Sequence, residues 1–295
     1  DNQAPREGED PHGRGGDVTE VRAAIGAFLA TGALPADLCG GEACASAALP
    51  EAFTRLDAPP WVQETRETLD VGDALPELGE PQVVARDVLA DTPNLGDLVS
   101  IESDQLPYEI GDRVLIEAHA SGGAQVGLYA LADSDAGVDG VFVITESGAA
   151  YAYDLSQWLL PPTTKPDAEF VDESVRWVEL SGDVLYIANS HWTYSADTGG
   201  ANSYISAIDV ATGKLLWRSE PLVSNAKNFL IVGSGIVAGY GFTDEPDRVV
   251  VIDRATGKVT DEVAVPSGPE RLADLGDQIL VRCYDADVHI PLAAL

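Results

Sequence analysis

Methionine is absent from this chain of 295 residues, so not even a start residue is included. The opening Asp1-Asn2-Gln3-Ala4-Pro5 therefore reads as a processed or trimmed end, and no basic stretch followed by an apolar one marks a signal peptide. Basic residues are scarce. Seventeen Lys and Arg stand against 49 Asp and Glu, giving a formal net charge of −32. Such a surface repels phosphate backbones and anionic headgroups, which excludes nucleic acid and anionic membrane surfaces as expected partners. It fits a solubility adaptation to salty surroundings, a plain solvated surface, or a surface that meets a cation or a basic partner. Long apolar runs are missing too. The longest, 23–36 and 229–242, are about 14 residues each and are broken by Gly or Pro, so no transmembrane segment is expected.

Local catalytic signatures are also lacking. There is no G-x-S-x-G elbow, no H-E-x-x-H and no P-loop. Thr-Gly-Lys occurs at 212–214 and 256–258, without the upstream Gly or the following Ser or Thr that a phosphate loop needs. The expectation is a non-enzyme, although a site assembled from several repeats would leave no local motif. Cysteine appears three times. Cys39 and Cys44 flank Gly40-Gly41 and read as a small-loop disulfide; no second Cys or His pair has zinc spacing. Cys283 lies in a strand-like run, where a buried thiol is the default.

Residues 1–16 are Gly, Pro and charge, the composition of a disordered leader. Residues 17–70 read as a helical segment. Asp17 and Glu20 form a capping-box pattern, and Val21, Ile25, Phe28 and Leu29 share one helical face. A shorter helix is expected from Pro50, with Phe53 and Leu56 on its apolar side, and another short piece after Pro60, carrying Trp61. From 71 to 295 the texture is β: short apolar or alternating runs punctuated by Gly, Asp, Asn and Pro, with a first strand-like run at Gln82–Ala85.

A repeat organises this region. Residues 207–217 read AIDVATGKLLW: a strand, a tight turn opened by Asp209 and closed by Gly213, and a second strand carrying Trp217. A second copy follows 44 residues later, with Asp253, Thr256 and Gly257 matching Asp209, Thr212 and Gly213, and with Asp261 at the Trp position. Gly-containing turns at 111–112, 182–183, 233–235 and 276–277 each precede an apolar strand, and Asp154 takes the place of the motif Asp in an earlier unit. A period of about 40–50 residues with four strands per unit is the signature of a β-propeller. About five units, possibly more, fit the chain, and an N-terminal strand is expected to complete the short last one.

The pattern resembles the tryptophan-docking repeat of the quinoprotein-type (PQQ-like) β-propellers. The C-terminal 120 residues or so also resemble a group of bacterial extracytoplasmic propeller proteins, through NSHWTY, SYISAIDVATGKLLWRS, AGYGFTDEPD and VRCYDAD. The resemblance implies a bacterial, extracytoplasmic protein: periplasmic, secreted, or lipid-anchored at a processed N-terminus. It does not imply PQQ, because the enzymes place an adjacent-cysteine disulfide over the quinone and this chain has no such pair. Non-enzymatic members, such as the propeller lipoprotein of the outer-membrane assembly machinery, use their blades as a docking surface.

Three constellations are candidates for function. His191, Trp192 and Tyr194 lead into a Gly-rich insertion beginning at Asp197, and such insertions form binding faces; the alternative is a hydrogen-bonded loop with aromatics covering a blade edge. Asp285, Asp287 and His289 alternate along one strand face, as metal ligands or as the polar side of a half-exposed strand. Residues 133–140 resemble a calcium loop but lack its Gly and Glu positions, and read as a polar turn. The reading that follows is a non-enzymatic propeller scaffold with a protein partner; the alternative is a metal- or small-ligand-binding module, and an oxidoreductase or hydrolase is the third. No cofactor is expected beyond a divalent cation, calcium or another, in the alternative.

Overall fold

The structure, a computed structural model, describes residues 49–72, 74–85, 106–132 and 137–293. The expected leader, the helix after Asp17, the Cys39/Cys44 loop and residues 133–136 lie outside them. The chain divides into two compact units, Asp1–Leu49 and Pro50–Leu295, and the second is described here.

This unit is all-β. An extended segment comes first, with three short strands: β1 (Thr54–Arg55), β2 (Glu64–Thr65) and β3 (Gln82–Ala85). Four consecutive meanders follow: β4 (Glu109–Ile110), β5 (Arg113–Ser121), β6 (Ala124–Leu131), β7 (Gly140–Ile144) and β8 (Ala150–Asp154); β9 (Ser174–Ser181), β10 (Val184–Ser190), β11 (Tyr204–Asp209) and β12 (Leu215–Arg218); β13 (Leu230–Val232), β14 (Gly235–Tyr240), β15 (Arg248–Asp253) and β16 (Val259–Ala264); and β17 (Pro269–Asp274), β18 (Gln278–Cys283) and β19 (Ala286–Pro291). Among the described residues these make four sheets, where the repeat predicts about five units. β3 pairs antiparallel with β19 and supplies the fourth strand of the last sheet, as the short final repeat predicts.

Inner strands such as β14 and β15 are buried on both faces, which is why they read as continuous apolar runs (GIVAGY, RVVVID). Apolar clusters join the sheets in succession. Val126, Val143 and Leu155 meet Val178 and Leu185 between the first and second sheets. Tyr186 and Trp217 meet Phe229 and Ile252 between the second and third. Val237 and Val251 meet Ile279, Val288 and Cys283 between the third and fourth. Cys283 is thus a core thiol, pushed up to about 12 by burial first of all.

The two motif turns form as the sequence predicts. Asp209 Oδ1 accepts from Thr212 N (2.8 Å), Thr212 Oγ1 (2.7 Å) and Ala211 N (3.2 Å), and Gly213 takes φ +69°. Asp253 accepts from Ala255 N on Oδ1 and from Thr256 Oγ1 on Oδ2, and Gly257 takes φ +74°. One assignment in the first sheet needs correction. Its motif turn is opened by Thr145, not Asp154: Thr145 N bonds Ala149 O, closing a turn one residue shorter than the one Asp209 N closes with Lys214 O. Asp154 ends β8 and instead meets Arg113 and Arg55, each at 3.2 Å. Gly111 turns the chain into β5 as the sequence predicts, closing the small extra hairpin of β4 and β5, and Gly122 and Gly123 form the turn between β5 and β6.

The helices expected after Pro50 and Pro60 are absent; residues 50–70 are extended. Their backbone groups bond the outer edges of the sheets rather than one another. Leu56 N donates to Asp154 O of the first sheet, Arg66 N to Leu216 O of the second, and Leu69 N to Ala255 O of the third. Farther on, Leu78 N donates to Asp261 Oδ2, so the residue at the lost Trp position anchors this segment. Gly79 N then donates to Pro291 O, and β3 completes the fourth sheet. One strap of chain therefore visits all four sheets in order. Pro50, Pro59, Pro60, Pro76 and Pro81 suit an extended path and oppose a helical one.

Candidate functional site

The first strands of the sheets meet around one small cavity of about 240 Å³. It is lined by Glu117 of β5, Arg176 and Trp177 of β9, Lys227 and Asn228 just before β13, and Arg271 of β17. A larger cavity of about 780 Å³ lies beside it. Trp192, Lys227 and Arg271 line both and form their common wall. Phe242, Thr243, Glu270, Arg282 and Tyr284 complete the wider mouth.

The 191–203 loop divides its candidate residues between two roles. His191 is buried and serves the loop itself: its N–H donates to Asn202 Oδ1 (3.0 Å), Nδ1 accepts from Thr193 N, and Nε2 meets Thr198 Oγ1 at 3.0 Å. Burial holds its pKa below the ordinary histidine value. Asp197 also holds the loop, accepting from Lys165 Nζ and Thr193 Oγ1, each at 3.0 Å. Trp192 and Tyr194 face outward, 52% and 41% exposed. Tyr194 packs edge-on against Phe242 with centroids 5.1 Å apart, and Phe242 belongs to the mouth. The Arg176 guanidinium lies 3.9 Å from the Trp192 ring centroid. Burial lowers the Arg176 pKa to about 10, so it stays charged at neutral pH, and its Nε has no partner among the described residues.

The site residues that sequence reasoning missed are cationic: Arg176, Lys227, Arg271 and Arg282. Arg176 and Lys227 belong to the second and third sheet regions and Arg271 and Arg282 to the fourth, and the four carry no common local motif. Arg271 stands directly opposite Arg282 in the β17–β18 ladder, a like-charge pair that a sheet disfavours. Arg282 is tied to Asp287 at 3.2 Å. Thr243, at the rim, holds φ +43°, an uncommon conformation for a β-branched residue.

The strand reading of Asp285, Asp287 and His289 as one metal face needs correction. Asp285 sits in the turn before β19 and accepts from Ser267 Oγ (2.5 Å). Asp287 is held by Arg282, and His289 Nδ1 meets Gln278 Oε1 at 3.1 Å. No group of three metal-ligating side chains converges among the described residues. In the 133–140 turn, Asp139 is buried in a bidentate pair with Arg113, both contacts 2.8 Å.

A second polar group lies beneath the loop. Arg218 is fully buried, its guanidinium 4.0 Å from the Tyr204 ring and 5.0 Å from the Trp61 ring. It donates to Asn189 Oδ1 (3.3 Å), and Asn189 Nδ2 donates to Glu173. Burial pushes the Glu173 carboxyl up to about 7, against the opposing pull of Asn189 and Arg218. His119 is structural as well. It stacks on Trp177 at 3.8 Å and bonds Val178 O, joining the first two sheets.

No protein-family model matches the chain, and no curated protein matches it. Among solved structures it is similar to the computationally designed Ika4 protein, at 12% identity and TM-score 0.40, covering 66% of this chain and 100% of that one. It is also similar to XC5397, a gluconolactonase from Xanthomonas campestris, at 14% identity and TM-score 0.39, covering 64% of this chain and 61% of that one. BamB from Moraxella catarrhalis matches at 12% identity and TM-score 0.30, over 61% of this chain and 69% of that one. The chain thus spans less than two thirds of the gluconolactonase, and these likenesses assign it neither family nor activity.

Proposed function

We propose that this chain is a four-bladed, PQQ-like propeller that acts outside the cytoplasm as a non-catalytic binding module, with its site at the mouth walled by Trp192. The observation that carries this reading is the position of Trp192. It is half exposed, it lines both cavities, and it stands where strands of different sheets meet. A cavity of about 780 Å³ is of the size that holds a small organic molecule. The four sheets supply the rigid frame, and the 191–203 loop sets the rim. His191 and Asp197 act by holding that loop rather than by touching a ligand.

Trp192, Tyr194 and Tyr284 are all exposed, an arrangement that favours docking of a protein partner at the same rim as the second reading. One comparison tests both. Wild-type and Trp192→Ala proteins are incubated with a native extract, and retained proteins and small molecules are identified by mass spectrometry. The proposal expects a ligand retained by the wild type and lost from the variant. Equal retention by both would place binding elsewhere.

A further inference from the structure

The inner cavity has a charge balance opposite to that of the chain. Acidic residues outnumber basic ones 49 to 17 overall, yet Arg176, Lys227 and Arg271 line this cavity against Glu117 alone. The three cations come from the second, third and fourth sheet regions, so no single strand pattern accounts for them. Among the described residues none of the three forms an ion pair. Like charges converging on one cavity cost free energy, and for Arg176, whose pKa burial lowers, desolvation adds to that cost. Where so many carboxylates are at hand, setting three cations against the single carboxylate of Glu117, which acts on Arg176 without a close ion pair, points to a counterion from outside.

We propose that the inner cavity binds a compact anion with two or more oxyanion groups, held by Lys227, Arg271 and Arg176, with Trp192 as the wall past which the rest of a larger ligand extends. This rests on the reading of the mouth as the binding site and names the chemistry it recognises. At about 240 Å³ the inner space suits the charged group, and the adjoining cavity suits what is attached to it. Guanidinium forks match carboxylate and phosphate oxygens equally well, so a polycarboxylate and a condensed phosphate share the chemistry.

The test is calorimetric titration of the full chain with citrate, with tripolyphosphate and with acetate. The wild type is expected to bind at least one polyanion with Kd below about 1 mM, and acetate at least about tenfold more weakly. The Lys227→Gln/Arg271→Gln double variant is expected to lose at least about tenfold in affinity, while Arg66→Gln, remote from the cavity, does not. Citrate alone binding identifies a polycarboxylate site, and tripolyphosphate alone a phosphate site. If neither saturates below about 10 mM, or if the double variant melts and binds like the wild type, the proposal is overturned. The two readings fail separately. Extract capture that depends on Trp192 without polyanion binding leaves the mouth standing and removes the anion site. Polyanion binding without Trp192-dependent capture does the reverse.

Discussion

The indole of Trp217 donates from Nε1 to the carbonyl of Arg254 at 2.8 Å, bridging the second and third sheets. Its ring lies against Gly257, where an added Cβ would come within 2.5 Å of the indole. The motif is therefore a joint between sheets: the Trp of one unit docks on the turn of the next. Trp217→Ala should cost about 3–5 kcal/mol, as for other buried Trp truncations. Gly257→Ala should also destabilise, by roughly 1 kcal/mol or more, through both positive φ and the clash. Denaturant melts of the two variants check both.

The same joint occurs one sheet earlier with a different ring. Tyr153 Oη donates to Val210 O at 2.7 Å, and Val210 precedes Arg254 by the repeat of 44 residues. Burial first of all pushes the Tyr153 hydroxyl up to about 12, so it remains a donor through the neutral range. Tyr153→Phe should cost about 1 kcal/mol, the usual net value of one hydrogen bond. Tyr153→Ala should approach the Trp217→Ala loss if the two rings play equivalent parts. A loss confined to a few tenths would refute that equivalence.

The strap across the sheet edges is expected to carry stability rather than to hang loose. Leu56 is buried, and its side chain sits over Gly213, where a Cβ would meet it at 2.6 Å. Leu56→Ala should cost about 2–4 kcal/mol. Hydrogen exchange should show weakened protection of the Leu56 and Arg66 amides, which bond Asp154 O and Leu216 O. Unchanged protection would mean that the strap does not depend on this anchor.

Glu173 gives a pH dependence of unusual sign for a carboxylate. Its pKa is raised from 4.5 to about 7 by burial, so between these values the folded state holds a proton that the unfolded state releases. Stability from this group is then full below about pH 4.5 and falls as pH rises towards 7. Glu173→Gln removes the titration. The difference in unfolding free energy between wild type and variant should drift with pH across that window, and a flat difference would show that Glu173 titrates normally.

What the sequence made legible was local. Asp209, Thr212 and Gly213 lie within one turn, and their spacing alone dictates its hydrogen bonds. Trp217 and the strand Gln82–Ala85 could be read for the same reason. The chain after Pro50 reads as helical because apolar spacing at Phe53 and Leu56 suits either a helix face or residues docking under sheet edges. Only the tertiary edge bonds of Leu56 and Arg66 decide between them. Tyr153 is not legible as a docking ring because the Thr145 turn departs from the Asp-Thr-Gly pattern of the two clear repeats. The cations at the cavity were invisible as a group. Arg176, Lys227 and Arg271 are tens of residues apart and meet only when their sheets do.

The central claim, that the mouth beside Trp192 is where this protein binds, is tested most directly by hydroxyl-radical footprinting of its exposed aromatics with and without the captured ligand. Tyr108, Phe170, Trp192, Tyr194 and Tyr284 are all exposed enough to react. The account predicts protection at Trp192, Tyr194 and Tyr284, with Tyr108 and Phe170 unchanged. Protection at Tyr108 or Phe170, with Trp192 reacting as before, would contradict it.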